Sequence, residues 1–297
     1  MQIPVLEDLL EFKYLAKYIK NYHKQTSINS LSGNIKTRAK GQGLDFYQVR
    51  KYVFGDDTRN IDWRVSARTN QIHIKEFHED KEAKIDIICD ISPKMQFATK
   101  GRFKYLLAAE IVSLICFASD ANKEIIQAIF FGENMADIEI FKQKNQKSVT
   151  LPILNFLCIQ QEQKIINSAN NLAAAVKLLN SKTKTKGICF IITTQIELDY
   201  YLKQELAKLT KKKQVFIINI SDIFDFKLPN SGKYSFVNVE NKEIILNLAD
   251  KNAVKLYNQA AIKRYNDLCL FCDSIKAKLI NLATDDDVVA KICEGLN

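Results

Sequence analysis

Residues 85–95 read IDIICDISPKM, and this stretch decides the fold. Its first part, Ile85 to Ile91, is apolar at most positions and rich in isoleucine, which is typical of a strand buried on both faces. Short apolar runs of the same kind recur at residues 125–131, 188–193 and 215–220. Buried strands that alternate with helices predict a parallel sheet covered on both sides.

Segments of helical periodicity separate these runs, so the second half is predicted to be an α/β domain with a doubly wound, mostly parallel sheet. The predicted helices cover residues 101–119, 170–180, 199–212 and 252–276. A further strand is expected near Ala277 to Leu282, and a final helix that Thr284 would cap. Lys233 to Leu248 predicts a hairpin inserted at one edge, with Asn241 and Lys242 near its turn.

The composition is that of an ordinary folded protein, with 297 residues of which 47% are hydrophobic and 26% charged. The longest apolar stretch, Leu106 to Ala121, is interrupted by Glu110, so no membrane-spanning helix is predicted. Glu7 and Asp8 stand where a signal peptide would carry positive charge. The seven cysteines lie mostly singly in apolar runs. We therefore expect a cytoplasmic protein.

Three segments are predicted along the chain: residues 1–40, 41–83 and 84–297. The first combines an amphipathic helix, Val5 to Lys24, with a polar linker. Residues 1–75 hold 13 Lys+Arg and 7 Asp+Glu, a balance of +6 within a total of +9. Lys13, Lys17 and Lys20 share one helix face, which leaves open peripheral contact with an anionic membrane. No aromatic and basic pattern of a nucleic-acid module accompanies them, so no nucleic-acid partner is expected.

The end of the first α/β strand carries Asp90 and Ser92, two oxygen-bearing side chains at the place where doubly wound sheets bind ligands. This strand end and the element order resemble a von Willebrand factor A domain, whose metal-ion-dependent adhesion site uses Asp-x-Ser-x-Ser, a Thr and an Asp. Asp90 and Ser92 match that pattern. The remaining three positions depart from it, because they hold Lys94, Asn170 and Thr194.

These replacements remove one negative charge and add a positive one, whereas a divalent ion needs carboxylate ligands. We therefore predict no metal and no cofactor here, and a degenerate site that serves as a partner-binding crest. One hypothesis places the Lys94 ammonium beside Asp90, where it would replace the ion. In the alternative, Lys94 points to water and Asp90 caps the following loop.

A second pattern lies before the α/β domain: GQGLDF at residues 41–46, then GDDTRNIDW at 55–63 and SAR at 66–68. With the ATD of residues 283–285, it resembles the bacterial family called domain of unknown function 58. The signature residues are Gly43, Arg50, Tyr52, Gly55, Asp56, Asp57, Arg59, Asp62, Trp63, Ala67 and Arg68. Members often carry two N-terminal membrane helices, so this chain would be a soluble branch. The resemblance also implies a MoxR-type AAA+ ATPase as partner.

Arginines and aspartates alternate in this signature, and guanidinium groups bind carboxylates in bidentate pairs. One interpretation is a self-satisfied ion-pair latch, and the other is a recognition surface for a partner loop or an acidic peptide. Trp63, the only tryptophan, is expected to be buried between the β segment and the α/β body.

Motifs of known catalytic sites are scarce, since no Gly-x-Ser-x-Gly, Walker loop or HExxH spacing occurs in the chain. We therefore predict a non-enzymatic protein-interaction module that works with a MoxR-type ATPase in protein assembly or maturation. One rival is a metal-dependent binding protein or hydrolase that uses Asp90. The other is a nucleic-acid or anionic-membrane binder that acts through the basic N-terminal region.

Overall fold

The structure is a computed structural model of the chain. It describes residues 4–19, 44–79, 84–132, 138–143, 147–159, 171–182, 186–228, 232–237, 243–248 and 251–296, with the backbone alone at 44–48, 76–79, 233–237 and 243–247. The chain divides into two compact units, one of Met1–Ile28 with Ala83–Asn297 and one of Asn29–Glu82. The N-terminal helix therefore belongs with the α/β unit rather than forming a segment of its own.

The large unit is built on a six-stranded sheet in the order β10-β7-β6-β3-β4-β5. Its strands are β3 (Lys84–Asp90), β4 (Ile125–Phe131), β5 (Glu139–Lys142), β6 (Gly187–Thr193), β7 (Lys213–Ser221) and β10 (Lys278–Ala283). All neighbours are parallel except β4 and β5. The predicted doubly wound, mostly parallel sheet is confirmed.

Helices cover both faces of this sheet. They are α1 (Leu6–Leu15), α3 (Lys104–Ala121), α4 (Thr150–Ile159), α5 (Asn171–Lys182), α6 (Tyr200–Thr210), α7 (Lys251–Ile275) and α8 (Val288–Leu296). One buried apolar cluster joins α1, α3, α4 and α8 to one face, and a second joins α5, α6 and α7 to the other. Because α3 is buried around most of its surface, its apolar run needs no alternating polar face. No helix in the described ranges is long and apolar enough to span a membrane.

The order of the strands fixes where a ligand or partner site can form. From β3 the chain moves outward to β4 and β5, and it then returns to β6 on the opposite side of β3. The winding therefore reverses between β3 and β6, and the carboxyl ends of these two strands border a crevice. We call the carboxyl ends of these strands and of β7 beside them the crest. It consists of Asp90–Met95 from the last residue of β3, Thr194–Gln195 after β6, Asp222–Asp225 after β7 and the Lys104 side chain that contacts them.

A buried ion pair lies toward the amino ends of the strands, opposite the crest. Lys213 Nζ lies 2.6 Å from Asp86 Oδ2, and these side chains are 0% and 1% exposed. Burial raises the pKa of Asp86, although the positive charges of Lys213 and Lys84 oppose that shift. The pair lies near the amino ends of β3 and β7, far along the strands from the crest.

The small unit pairs β1 (Leu44–Lys51) with β2 (His73–Glu79) in an antiparallel ladder. The short helix α2 (Trp63–Thr69) lies between them in sequence. The alternation of side chains at residues 45–53 and 71–77 predicts these two strands, whereas the charged stretch that joins them gives no helical pattern. In the large unit, β8 (Lys233–Val237) and β9 (Glu243–Asn247) form the predicted hairpin, and its expected turn at Asn241 and Lys242 lies outside the described residues.

One capping prediction is wrong. The last helix begins at Val288 rather than directly after Thr284. Asp287 serves as its cap, because its Oδ1 accepts a hydrogen bond from the Ala290 amide at 2.8 Å. The Thr284 hydroxyl instead donates to Asp222 Oδ2 at 3.1 Å, so this side chain belongs to the carboxyl edge of the sheet.

Candidate functional site: the crest of the sheet

Asp90 is the last residue of β3, and its carboxylate is buried, with 5% of the residue exposed. The Ser92 amide donates to Oδ1 at 2.9 Å, and the Thr193 hydroxyl donates to Oδ2 at 2.8 Å. Burial raises the pKa of Asp90, while the hydrogen bonds from Ser92 and Thr193 and the charge of Lys94 act in the opposite direction. Each Asp90 oxygen thus has a donor from the chain.

A lysine outside the predicted set provides the ammonium at the crest. Lys104, at the start of α3, is 1% exposed. Its Nζ donates to Thr194 Oγ1 at 3.0 Å and to Asp225 Oδ2 at 2.6 Å. Gln195 Nε2 donates to the other Asp225 oxygen at 2.7 Å. The ammonium therefore joins the loop after β6 to the 3₁₀ turn after β7.

A second carboxylate, Asp222, connects its own turn after β7 to two further segments at the carboxyl ends of the strands. Its oxygens accept from the amide and the hydroxyl of Thr99, from the Phe224 amide and from the Thr284 hydroxyl, at 2.8 to 3.1 Å. Burial acts to raise the pKa of Asp222, but these hydrogen bonds together outweigh it and lower the pKa below its usual value. The Asp222 amide in turn donates to Asp225 Oδ2 at 2.7 Å.

The residues at the crest do not fit the divalent ion that the resembling A domains bind. The Thr194 hydroxyl already accepts from the Lys104 ammonium. An ion on that hydroxyl would lie within about 5 Å of the ammonium, where like charges repel by several kcal/mol. Among the residues that the structure describes, no group of three or more His, Cys, Asp or Glu side chains is arranged to hold a metal ion.

The predicted crest residues are brought together only in part. Asp90, Ser92 and Thr194 are buried at the ends of neighbouring strands, as expected, whereas Lys94 is exposed. No ion pair within 4.0 Å joins Lys94 to Asp90, both of which are described. The Ser92 contact shows Asp90 capping its own loop, which is the second of the two sequence-based alternatives. Asn170 lies outside the described residues.

In the small unit, one predicted ion pair is present. Arg50 makes a bidentate contact with Asp56 at 2.7 and 2.9 Å. Asp56 also accepts from the Val53 amide at 2.9 Å, and its own amide donates to the Val53 carbonyl at 3.0 Å. Gly55, with φ of 101°, supplies the left-handed residue that this turn requires. The turn leaves Phe54 99% exposed.

Asp57 and Asp62 of the signature cap backbone amides and lie within ion-pair distance of no arginine among the described side chains. Asp57 Oδ1 accepts from the Arg59 amide, and Asp62 Oδ1 accepts from the Arg64 and Val65 amides, all at 3.1 Å. Hydrogen bonding from the Val65 amide is the main cause that lowers the pKa of Asp62. Among the side chains that the structure describes, the arginine–aspartate pairing of the predicted latch is therefore limited to Arg50 and Asp56.

Trp63 is 69% exposed, so the prediction that it is buried is wrong. Helix α2 turns Ser66 inward, where its hydroxyl accepts from the His73 amide at 2.8 Å, and Trp63 outward. The remaining signature residues divide by exposure. Tyr52 is half-buried, Gly55, Asp57, Arg59, Ala67 and Arg68 are exposed, and Gly43 lies outside the described residues.

Sequence reasoning missed Lys104, Asp222 and Asp225. Lys104 and Asp225 are 121 positions apart, and Thr99 and Asp222 are 123 apart. No local pattern marks such pairs. The available signal was that Asp222 comes two residues after the predicted strand 215–220, because Asp90 was recognised near the end of a predicted strand.

The fold and this edge together define an α/β domain whose buried crest carboxylates are satisfied by donors from the chain itself. The sequence profile described as "Protein of unknown function DUF58" matches residues 48–266. The protein therefore belongs to the DUF58 family.

The chain is 23% identical, over 270 residues, to an uncharacterised protein of Mycobacterium tuberculosis, with 91% of this chain and 84% of that protein covered. Among solved structures, it is similar to an aerotolerance-related membrane protein from Bacteroides fragilis (13% identity, 72% and 96% covered, TM-score 0.37). A second similar structure is that of a von Willebrand factor type A protein from Catenulispora acidiphila, with 10% identity and a TM-score of 0.32. The match covers 50% of this chain and 35% of that one. Because these TM-scores are low, the assignment of the fold rests on the strand order and the parallel pairing of the six-stranded sheet.

Proposed function

We propose that this protein is a non-enzymatic adaptor that binds a protein partner through the crest. The observation that carries the proposal is that Lys104 neutralises Asp225 while donors from the chain occupy Asp90 and Asp222. Groups held in this way are poor candidates for a nucleophile, a general base or a metal ligand, because each already has its partner. They instead fix the loops that carry the outward-facing side chains.

The exposed side chains of this edge suit contact with another protein. Lys94 is exposed on the loop after β3, and Gln195 is exposed after β6. Tyr200, at the start of α6 on the same side of the sheet, is 77% exposed. Tyrosine is one of the residue types enriched at protein interfaces, and the Lys94 charge can steer the approach of an acidic partner surface.

A MoxR-type AAA+ ATPase is the proposed partner, and the site of action is the cytoplasm, where that class of ATPase works. This step rests on family resemblance, since DUF58 members are typically encoded beside such ATPases. ATP hydrolysis then belongs to the partner, and this chain contributes recognition of the ATPase or of its client during protein assembly or maturation.

The test is affinity purification of the tagged full chain from its native cell, with Lys94→Glu as the variant. We expect the ATPase to co-elute with the wild-type chain and to be depleted about tenfold by this charge reversal. Lys211→Glu is the matched control, because Lys211 is equally exposed but lies before β7, at the opposite edge of the sheet. Absence of the ATPase at low salt, or equal depletion by both variants, would contradict the proposal.

A further inference from the structure

The small unit presents a face that the crest proposal does not use. Helix α2 places Trp63 and Ala67 one turn apart, and Arg64 and Arg68 one turn apart beside them. All four residues are exposed, as is Arg59 just before the helix. We call these five residues the signature face.

The arginines of this face have no ion-pair partner among the side chains that the structure describes. Within the described residues, no carboxylate lies within ion-pair distance of the Arg59, Arg64 or Arg68 guanidinium groups. The nearby carboxylates are committed elsewhere: Asp62 caps α2 and lies 3.8 Å from Lys75, and Asp56 binds Arg50. Unpaired guanidinium groups beside an exposed indole provide charge and an apolar anchor on one surface.

The face is also held rigidly. The Ile61–Ile74 bridge, the bond from the Asp62 amide to the His73 carbonyl at 2.9 Å, and the Ser66–His73 contact fix α2 against the start of β2. The Tyr52 amide donates to the Ile72 carbonyl at 2.9 Å, which extends the β1–β2 pairing at the end of the ladder where α2 lies. Rigid presentation lowers the entropy cost of binding.

We infer that the signature face is a docking site for an acidic polypeptide segment that carries an apolar side chain for Trp63. Charge complementarity selects this occupant. Residues 44–79 contain six Lys+Arg and six Asp+Glu, so this stretch, which carries the face, lacks the net positive charge that attracts nucleic acid. Residues 20–43 of the chain contain five Lys+Arg and no Asp or Glu, so they carry the wrong charge for the face.

Trp63 makes the test specific, because it is the only tryptophan in the chain. The full chain is titrated with a synthetic peptide of sequence Asp-Glu-Glu-Leu-Phe-Glu-Asp-Glu while tryptophan emission is recorded. We expect a saturable shift of the emission to shorter wavelength as the exposed indole leaves water. The same peptide with Asn and Gln in place of the acids is expected to give no saturable shift, and so is an oligothymidylate of twelve nucleotides.

The decisive variant is the pair Arg64→Glu and Arg68→Glu, which is expected to weaken peptide binding at least about tenfold. The matched control is Lys255→Glu with Lys263→Glu, two exposed positions on α7 that change the net charge equally. We expect this control and Lys94→Glu to retain wild-type affinity. The inference is overturned if the acidic peptide leaves the emission unchanged, if the oligothymidylate shifts it equally, or if both double variants weaken binding alike.

Discussion

The crest and the signature face handle charge in opposite ways. At the crest, Lys104, Asp90 and Asp222 are buried and have partners inside the chain. On the signature face, the guanidinium groups of Arg64 and Arg68 are exposed and lack an acidic partner among the described residues. Buried charges with partners set the shape of a fold, whereas exposed charges without partners are available to other molecules. Substitutions of the buried crest residues should therefore change the stability of the fold, whereas substitutions on the signature face should leave stability almost unchanged.

Lys104→Met should produce the largest effect. It leaves the Asp225 carboxylate, whose side chain is 8% exposed, without its cation, and removing one partner of a buried pair costs about 3–5 kcal/mol. The measurement is the free energy of unfolding from urea denaturation. Lys100→Met is the matched control, because Lys100 is exposed. A loss in Lys104→Met no larger than in the control would remove the distinction between the two regions.

Asp222→Asn should cost less, about 2 kcal/mol at neutral pH, because an amide cannot accept all the hydrogen bonds that reach this carboxylate. Those bonds lower the pKa of Asp222 below the usual aspartate value of 3.8. The ionised group therefore stabilises the fold above that value, and the contribution is lost as the pH falls through the lowered pKa. Unfolding at pH 7 and pH 3 should show the difference between wild type and variant shrinking. Asp285→Asn, at an exposed neighbour, should show neither effect.

Asp90→Asn should change the free energy of unfolding by within about 1 kcal/mol, because the amide oxygen can still accept from Ser92 and burial disfavours the charged group. Burial raises the pKa of Asp90. Wild type therefore loses stability as the pH rises from 3.8 through the raised pKa, and the variant does not. Denaturation curves at successive pH values should show the variant gaining relative to wild type. A relative loss on raising the pH would show that the charged form is favoured.

The smallest effect on stability is expected on the signature face. Trp63→Ala and the pair Arg64→Glu with Arg68→Glu should each change the free energy of unfolding by about 0.5 kcal/mol or less. Exposed side chains that neither pack in the core nor pair with a buried group contribute little to stability. The same urea measurement checks this. A loss above about 2 kcal/mol would mean that this face packs on other parts of the chain, in contrast to its exposure here.

Strands β3, β4, β6 and β7 could be predicted because each one is an apolar run bounded by polar segments, as residues 85–91 illustrate. The short strand β5 holds only two apolar residues and was not predicted. The crest ion pair could not, because Lys104 resembles an ordinary lysine in the first turn of a helix and finds Asp225 only through the folded sheet. Trp63 was misplaced for a different reason. A large aromatic ring is usually buried, but α2 is anchored by Ser66 and by its Asp62 cap, which leaves the indole outside.

The measurement that tests the internal neutralisation of the crest most directly is calorimetric titration of the full chain with Mn²⁺ and Mg²⁺. Because the Lys104 ammonium contacts the Thr194 hydroxyl and Asp90 is occupied by Ser92 and Thr193, we predict no saturable heat at millimolar ion concentrations. Micromolar binding of either ion that Asp90→Asn abolishes would contradict the account.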